Sequence, residues 1–339
     1  MILVQHQDYR RYVKIAIAVP LSAVARSGNW HTAARWSRFL RMLGHRVRVT
    51  TDWDGGPDDM LVALHAYKSF SSIASFARRQ PEAPLVLALT GTDLYRDIRE
   101  QNEAKQALRL ATRLIVLQDA GLDELGPALR KKATVVYQSS NVRMRHRPVR
   151  SCFRVAVIGH LRGEKDPFRA VHALRHLDAA ARLEVVQIGG ALDVAMRDKA
   201  QQWSARDSRY RWLGSVSHGT AMRWLASSHV LVVSSVMEGG ANVICEAARI
   251  GVPVLASRIP GNVGMLGRDY PGYFPLFDEK ALARLIERCR NNPRFYESLR
   301  KAIFRRRHLF APVAERAALK CAMQNLPSGG DRASTRRRY

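Results

Sequence analysis

Two glutamates, Glu238 and Glu246, bracket the segment EGGANVICE, which joins two carboxylates to a turn of small residues. An apolar run at 229–235 precedes this segment and another follows at 251–257, so the pattern predicts a strand, a glycine turn and the start of a helix. Backbone N–H groups at a helix N-terminus bind phosphate, and carboxylates can accept hydrogen bonds from sugar or ribose hydroxyls. The segment therefore indicates a sugar-nucleotide site, although the two acids could also serve only to cap the helix.

A basic loop at residues 159–167, with the sequence GHLRGEKDP, follows another predicted strand. It places Arg162 and Lys165 at the carboxyl end of that strand. Cations in this position can neutralise the negative charge of a diphosphate leaving group. A solvated charged loop is the alternative interpretation.

The first half of the chain offers weaker candidates. Gly28 follows the first predicted strand and opens a helix, at a place where the backbone can approach a ligand closely. Asp93, within the segment TGTDLYRD, could accept a sugar hydroxyl or orient a reacting group, or it could cap a turn. For His65, at the end of another strand, we predict a buried core position.

Several common catalytic motifs are absent from the sequence. It contains no GxGxxG opening a helix, no GxxxxGK(S/T), no HExxH and no GxSxG, which removes the usual support for dinucleotide redox chemistry, P-loop hydrolysis, zinc proteolysis and serine hydrolysis. Asp52 and Asp54 form a DxD, which we interpret as a polar turn. We therefore predict no metal requirement and no cofactor; activity that a chelator abolishes and manganese restores would contradict this.

The length of the chain allows two domains, and its cysteine usage is typical of a cytosolic protein. At 339 residues the chain can bury two sizeable cores, and its four cysteines form no CxxC pair. The apolar run at 15–19 resembles part of a signal peptide, but Pro20 and Ser22 interrupt it, and it also fits a first buried strand. No segment has the roughly 18 apolar residues that a bilayer span needs. We expect a cytoplasmic protein without a membrane span.

The net charge of +26 favours anionic partners, such as nucleotides, phosphates, nucleic acid or acidic lipid. Part of this charge comes from an arginine-rich C-terminal tail. An arginine-rich composition would give the same charge without any partner. Charge alone therefore does not decide the function.

Short apolar runs alternate with amphipathic segments along most of the chain. This pattern predicts an α/β protein with two doubly wound, Rossmann-like domains that face each other across a cleft. The predicted strands lie at 13–19, 46–51, 60–65, 85–90, 113–117, 133–137, 153–158, 183–188, 210–213, 230–234 and 253–256. The predicted parts are a polar extension at 1–12, an N-terminal acceptor domain at 13–145, a C-terminal nucleotide-sugar domain at 146–310, a returning helix at 311–326 and a disordered basic tail at 327–339.

Several segments of the chain resemble a known family. EGGANVICEA followed by GVPVLAS resembles the donor-binding segment of retaining-type glycosyltransferases with two Rossmann-like domains, the GT-B architecture, related to glycosyltransferase family 4. TGTDLYRD, GHLRGEKDPFRA, MEGGANVICEA and SRIPGNVGMLGRDYPGYFP together resemble the selenosugar synthases of selenoneine biosynthesis, and this resemblance spans residues 13–320. The triplet Gly240-Ala241-Asn242 departs from the wider superfamily, in which many members carry a phenylalanine and another glycine.

The resemblance implies a transferase that forms a carbon–selenium bond between a UDP-sugar, expected to be UDP-N-acetylglucosamine, and selenophosphate, and that yields a 1-selenosugar after loss of phosphate. It implies that Arg162 and Lys165 stabilise the departing UDP. Glu238 would hold the sugar ring, and Glu246 would accept the ribose hydroxyls. The other implied donor contacts are Gly28, Gly214, Val216, Gly239, Gly240, Ala241, Asn242 and Val243. The expected acceptor contacts, from their loop positions, are Arg26, Asn29, His31, Asp93 and Arg96.

Two other functions fit parts of the sequence. A glycosyltransferase of the same fold that acts on a lipid or polysaccharide hydroxyl would share the donor site and would give the basic surface a role at a membrane. A nucleic-acid-binding protein without catalysis would use the basic tail and would bind with a steep salt dependence. The sequence contains no DNA-reading module and no basic platform interleaved with aromatic residues, so we expect no nucleic-acid partner.

Overall fold

The alternating apolar runs form twelve strands in the computed structural model, which describes residues 13–20, 28–324 and 326. All eleven predicted strands are present, within two residues of the predicted bounds. The remaining strand, Tyr273–Phe274, was not predicted because two residues are too few to give an apolar pattern. The predicted extension at 1–12 and the predicted tail at 327–339 lie outside the described residues.

Six parallel strands form the N-terminal sheet. They are β1 (Lys14–Ala18), β2 (Arg46–Thr50), β3 (Met60–Leu64), β4 (Leu85–Leu89), β5 (Arg113–Val116) and β6 (Ala133–Val135). Their spatial order is β2-β1-β3-β4-β5-β6, so the direction of winding reverses between β1 and β3. In open α/β sheets, ligands bind at such a switch point, outside the carboxyl ends of the strands.

The C-terminal sheet also has six parallel strands. They are β7 (Phe153–Ile158), β8 (Leu183–Ile188), β9 (Tyr210–Trp212), β10 (Val230–Val233), β11 (Val254–Ser257) and β12 (Tyr273–Phe274). The order β12-β11-β10-β7-β8-β9 is that of a dinucleotide-binding sheet, with its switch point between β7 and β10. The predicted architecture of two doubly wound α/β domains is therefore confirmed.

Thirteen α-helices lie in the described part of the chain. They are α1 (Gly28–Met42), α2 (Phe70–Arg79), α3 (Ile98–Glu100), α4 (Asn102–Leu110), α5 (Pro127–Arg130), α6 (Arg169–Ala173), α7 (Val194–Arg206), α8 (His218–Ala226), α9 (Asn242–Ile250), α10 (Pro260–Leu266), α11 (Glu279–Asn291), α12 (Pro293–Arg306) and α13 (Pro312–Met323). Side-chain N-caps fix the start of several of them. Asp193, Ser217, Asp278 and Asn292 each accept a hydrogen bond from the backbone N–H three residues later.

Alternation along β1 shows how the N-terminal sheet divides its core between two faces. Ile15 and Ile17 belong to the cluster that packs around Trp36 of α1, whereas Ala16 and Ala18 point to the opposite face. Successive side chains of a strand point to opposite sides, so a strand buried on both faces reads as a continuous apolar run. This is why β1, β3 and β4 were readable from sequence.

The last helix packs against the N-terminal domain. Leu319 of α13 lies in the same apolar cluster as Trp36. Glu315 is buried and accepts hydrogen bonds from Arg35 Nε at 2.7 Å, Trp36 Nε1 at 2.8 Å and the backbone N–H of Ser139 at 2.8 Å. After the C-terminal domain, the chain therefore returns to the N-terminal domain, where α13 packs against α1.

Candidate functional site

An ion pair marks the switch point of the C-terminal sheet. Lys165 lies in the loop after β7 and Glu238 in the loop after β10, and the Lys165 ammonium contacts the Glu238 carboxylate. Ser235 also donates a hydrogen bond to Glu238, at 2.6 Å, and the glutamate is only 8% exposed. The two sequence motifs that predicted a donor site are therefore brought together at one edge of the sheet.

Backbone and side-chain hydrogen bonds hold these two loops to each other. The Val236 N–H donates to the Glu164 carbonyl at 2.9 Å, and the Ser234 hydroxyl donates to the Asp166 carbonyl at 2.8 Å. Asp166 adopts a left-handed conformation, with φ of 42°, that turns the chain directly after Lys165. Lys165 is thereby fixed on a rigid support, which is what a preorganised charge site requires.

Arg162 differs from its neighbour Lys165. It is exposed, and within the described ranges no carboxylate lies within ion-pairing distance of it. A guanidinium that is not engaged in an ion pair can approach an anion in the cleft without first breaking an internal contact. Arg162 and Lys165 therefore provide one unpaired and one paired cation at the end of β7.

The glycine segment after Glu238 leads directly into α9. Ala241 holds the N-cap position but has no side-chain acceptor for the first N–H groups of the helix, which begins at Asn242. Gly239 and Gly240 precede it, and Val243 lines a small cavity of about 20 Å³ that Lys165 and Glu238 also line. The end of this helix thus offers backbone donors beside the ion pair.

Glu246 lies one turn inside α9 and is also engaged. Its carboxylate is 2.7 Å from His218 Nε2, and the hydrogen bond that His218 donates to Glu246 raises the pKa of His218. The loop before His218 contains Gly214 and Val216. A Cβ on Gly214, at φ of 65°, would meet no heavy atom within 4 Å, so this loop borders open space.

On the N-terminal side of the cleft, the start of α1 faces the start of α9. A Cβ on Gly28 would lie 3.9 Å from Asn242 Nδ2. Asn29 and His31 occupy the same first turn of α1, where His31 is exposed. Arg26 lies outside the described residues.

The segment after β4 is organised by Asp93. This side chain is fully buried, and its two oxygens accept hydrogen bonds from the backbone N–H groups of Thr90 at 2.8 Å, Gly91 at 2.8 Å and Ala66 at 3.0 Å. Of the roles considered from sequence, the geometry supports turn-capping, since the carboxylate is not exposed to the cleft. Asp93 thereby shapes the loop that carries Arg96.

Arg96 is partly exposed at the same edge of the N-terminal sheet. Its Nε donates a hydrogen bond to Asp97 at 2.9 Å, and this contact raises the pKa of Arg96, with a smaller contribution from Glu164 of the other domain. The segment that carries Arg96 follows the loop after β4, and this loop approaches the loop after β10: a Cβ on Gly91 would lie 3.3 Å from the Gly239 nitrogen. Arg96 is five residues beyond this contact between the two domains.

His65 lies at the switch point of the N-terminal sheet, directly after β3. It is buried, as predicted, but it adopts a φ of 79°, which is rare for a residue other than glycine. Its Nε2 is 2.9 Å from Thr92 Oγ1 and 3.7 Å from Asp97, while its Nδ1 accepts from the Lys68 N–H. Because Thr92 and Asp97 approach the same nitrogen, the three side chains do not form a nucleophile–base–acid relay.

The positive φ of His65 has no signature in the sequence. A left-handed backbone conformation in a bulky residue costs of order 1–3 kcal/mol, and such conformations cluster at functional sites. In the sequence, His65 is distinguished only by its position at the end of a predicted buried strand.

No group of three or more His, Cys, Asp or Glu side chains in the described part of the chain could hold a metal ion. In the DxD, Asp54 forms an ion pair with Arg48 at 2.7 Å, and this hydrogen bond lowers the pKa of Asp54. Asp52 accepts a hydrogen bond from Ser71. The absence of a metal requirement stays a prediction.

Residues 149–306 match the sequence profile of the family described as glycosyl transferases group 1. The match includes the whole C-terminal sheet and both loops that carry Lys165 and Glu238. Most of the C-terminal domain is therefore similar to this family. No curated protein matches the sequence closely enough to count as a relative.

Several solved structures are similar to this chain over both of its domains. HepE from Anabaena, crystallised with UDP and glucose, has a TM-score of 0.72 at 16% identity, over 93% of this chain and 100% of its own. Sucrose-phosphate synthase from Thermosynechococcus elongatus has a TM-score of 0.73 at 16% identity, over 92% of this chain and 98% of its own. A glycosyltransferase from Rickettsia africae has a TM-score of 0.66 at 13% identity, with coverages of 93% and 100%. The chain therefore has the predicted GT-B fold.

Within the described ranges, the helices are too short or too polar to cross a bilayer.

Proposed function

We propose that this protein transfers a hexose from a UDP-sugar bound by the C-terminal domain. The observation that carries the proposal is the contact of Lys165 with Glu238 at the switch point of the C-terminal sheet, beside the uncapped start of α9. Arg162 lies three residues before Lys165 in the same loop. A diphosphate needs cations and backbone donors, and a hexose needs a fixed carboxylate. HepE from Anabaena, which shares the fold, has been crystallised with UDP and with UDP-glucose.

The chemical demand of this reaction is to stabilise the departing UDP. When the bond between the sugar C1 and the β-phosphate oxygen breaks, the phosphate gains negative charge, which Lys165 and Arg162 would neutralise. Loss of one well-placed group of this kind costs about 3–4 kcal/mol, or a factor of 10²–10³ in rate. Glu238, held by Lys165 and Ser235, would orient the sugar ring, and Glu246 would accept the ribose hydroxyls.

We propose selenophosphate as the acceptor and UDP-N-acetylglucosamine as the donor. The support is the combined resemblance of four segments to selenosugar synthases and the cations on both sides of the cleft. Selenium in selenophosphate is a strong nucleophile, so no powerful general base is needed. A C–Se bond forms as the C1–O bond breaks, and hydrolysis of the Se–P bond then releases phosphate and leaves the 1-selenosugar.

In this proposal the acceptor phosphate lies against the N-terminal domain. Arg96 is the best-supported contact, because its side chain is partly exposed and it lies five residues after Gly91, which approaches the loop after β10. Arg26, Asn29 and His31 are proposed as further contacts. Two anionic substrates repel each other, so cations from both domains would reduce the cost of bringing them together.

The test is mass spectrometry of incubations with selenophosphate and a panel of UDP-sugars. The expected product is a 1-selenosugar, formed with release of UDP, and Lys165→Ala serves as the matched inactive control. Glycosylation of lipid or polysaccharide hydroxyls without any selenosugar would refute the acceptor assignment while leaving the donor assignment intact. Failure to bind or consume any UDP-sugar would refute both.

A further inference from the structure

The carboxylate proposed to hold the ribose already has a protein partner. His218 Nε2 lies 2.7 Å from Glu246 Oε1, and the Glu246 side chain is 15% exposed whereas the His218 side chain is 60% exposed. A carboxylate can only accept hydrogen bonds when ionised, so Nε2 carries the hydrogen in either protonation state of the ring. One oxygen of Glu246 is thereby engaged, and Oε2 has no partner among the described residues.

The fold places His218 between two parts of the proposed nucleoside site. It is the first residue of α8 and directly follows the loop at 214–217. Ser217 caps α8 by accepting a hydrogen bond from the Thr220 N–H at 3.2 Å, which fixes where the helix starts. His218 is thus four residues from Gly214 along the chain, and its ring reaches Glu246 of α9.

We propose that His218 is a positioning residue for the nucleoside of the donor. It holds the Glu246 carboxylate by Oε1, so that Oε2 faces the cleft and accepts the ribose hydroxyls. This inference rests on the proposed donor site. It extends that site to α8, from which sequence reasoning selected no residue.

The burial of Glu246 distinguishes this pair from a solvated ion pair at the surface. Exposed ion pairs are held weakly because both side chains move in water. Here Glu246 is largely buried on its helix, so its rotamer is restricted before any ligand binds. A second contact from His218 then selects one orientation of the carboxylate, which is what discrimination between ribose and deoxyribose requires.

The experiment compares the dissociation constants of UDP and 2′-deoxy-UDP by calorimetry. The wild type is expected to prefer UDP, and His218→Ala is expected to reduce that preference about tenfold, the effect of one hydrogen bond to a charged group. His218→Gln keeps an N–H donor and should retain most of the preference. In a Glu246→Ala background, His218→Ala should cause no further loss.

The outcomes separate this inference from the donor assignment. Wild-type preference for UDP in His218→Ala, while Glu246→Ala loses it, would overturn the role of His218 alone. Full UDP affinity and preference in Glu246→Ala would refute the ribose site itself. Equal weakening of UDP and 2′-deoxy-UDP by His218→Ala would show a structural effect and would also overturn the inference, and thermal melting of each variant verifies that it is folded.

Discussion

Gly239, in the loop after β10 of the C-terminal domain, touches the backbone of Thr90 in the N-terminal domain. A Cβ on Gly239 would lie 2.3 Å from the Thr90 carbonyl oxygen and 2.6 Å from the Gly91 nitrogen. No side chain fits at such a distance, and backbone atoms cannot rotate away from it. The loop after β4 and the loop after β10 can therefore close against each other only because residue 239 is glycine.

We expect Gly239→Ala to lower kcat by about 10²-fold, because the methyl group would force the two domain loops apart by an ångström or more. Gly126→Ala is the matched control, since a Cβ there meets nothing within 4 Å. Steady-state kinetics of both variants, with thermal melting to verify folding, provide the measurement. Wild-type kcat in Gly239→Ala would contradict the close approach.

Lys165→Ala and Arg162→Ala are expected to lower kcat while the protein remains folded. The predicted loss is 10²–10³-fold for Lys165, which is held on the rigid loop after β7. Arg197→Ala on α7, an exposed arginine paired with Asp198, is the charge-matched control. If either cleft variant turned over at the wild-type rate, its role in stabilising the leaving group would be lost.

Charge reversal at Arg96 tests the acceptor side. Arg96→Glu should raise the KM for selenophosphate much more than the KM for the UDP-sugar, because Arg96 belongs to the N-terminal domain. Arg109→Glu, at an exposed position on α4, makes the same charge change elsewhere in that domain. Arg96→Gln removes the positive charge without placing a second carboxylate beside Asp97, so it controls for repulsion between two carboxylates. A larger effect on the donor KM would place Arg96 at the other substrate.

Replacement of Glu315 is expected to lower the free energy of unfolding strongly. Glu315→Ala would leave the Arg35 guanidinium, the Trp36 indole N–H and the Ser139 N–H without their buried acceptor. Removal of one partner from a buried charged network typically costs about 3–5 kcal/mol. Urea unfolding should show this loss, whereas Glu297→Gln, in an exposed pair with Arg300, should change stability by about 1 kcal/mol or less. Equal small effects would contradict the anchoring of α13.

The sequence was sufficient to predict the strands of both sheets and the C-terminal side of the candidate site. Buried parallel strands read as apolar runs, and the basic loop and the glycine segment follow two such strands. The doubly wound strand order makes β7 and β10 neighbours. The loops that follow these two strands therefore meet, and Lys165 contacts Glu238. Gly28 and Asn242 likewise begin helices that face each other across the cleft.

The contacts that no pattern encodes are those between separate elements. The His218–Glu246 pair depends on how α8 packs beside α9, and the approach of Gly239 to Thr90 depends on how two domains dock. Neither leaves a periodicity in the sequence. Asp93 was ambiguous for a related reason, because an aspartate that caps a turn and one that binds a ligand have the same local sequence.

His229 makes stability depend on pH. Burial, with smaller effects of His146 and Arg154, lowers the pKa of His229 to about 4, and its Nδ1 accepts the Arg154 N–H at 3.0 Å. In the unfolded chain a histidine titrates near 6.5, so between about pH 6.5 and 4 the unfolded state binds a proton that the folded state does not. Folding stability is therefore expected to fall as the pH decreases through this window.

The measurement is urea unfolding between pH 4 and 8 for the wild type and for His229→Asn, in which the amide oxygen can replace Nδ1 as acceptor. The difference in unfolding free energy between the two proteins isolates His229 from other histidines, including His146, whose pKa burial also lowers. This difference should be constant above about pH 6.5 and should shift against the wild type as the pH approaches 4. A difference that stays constant down to pH 4 would show that His229 is protonated as easily in the folded state as in the unfolded one.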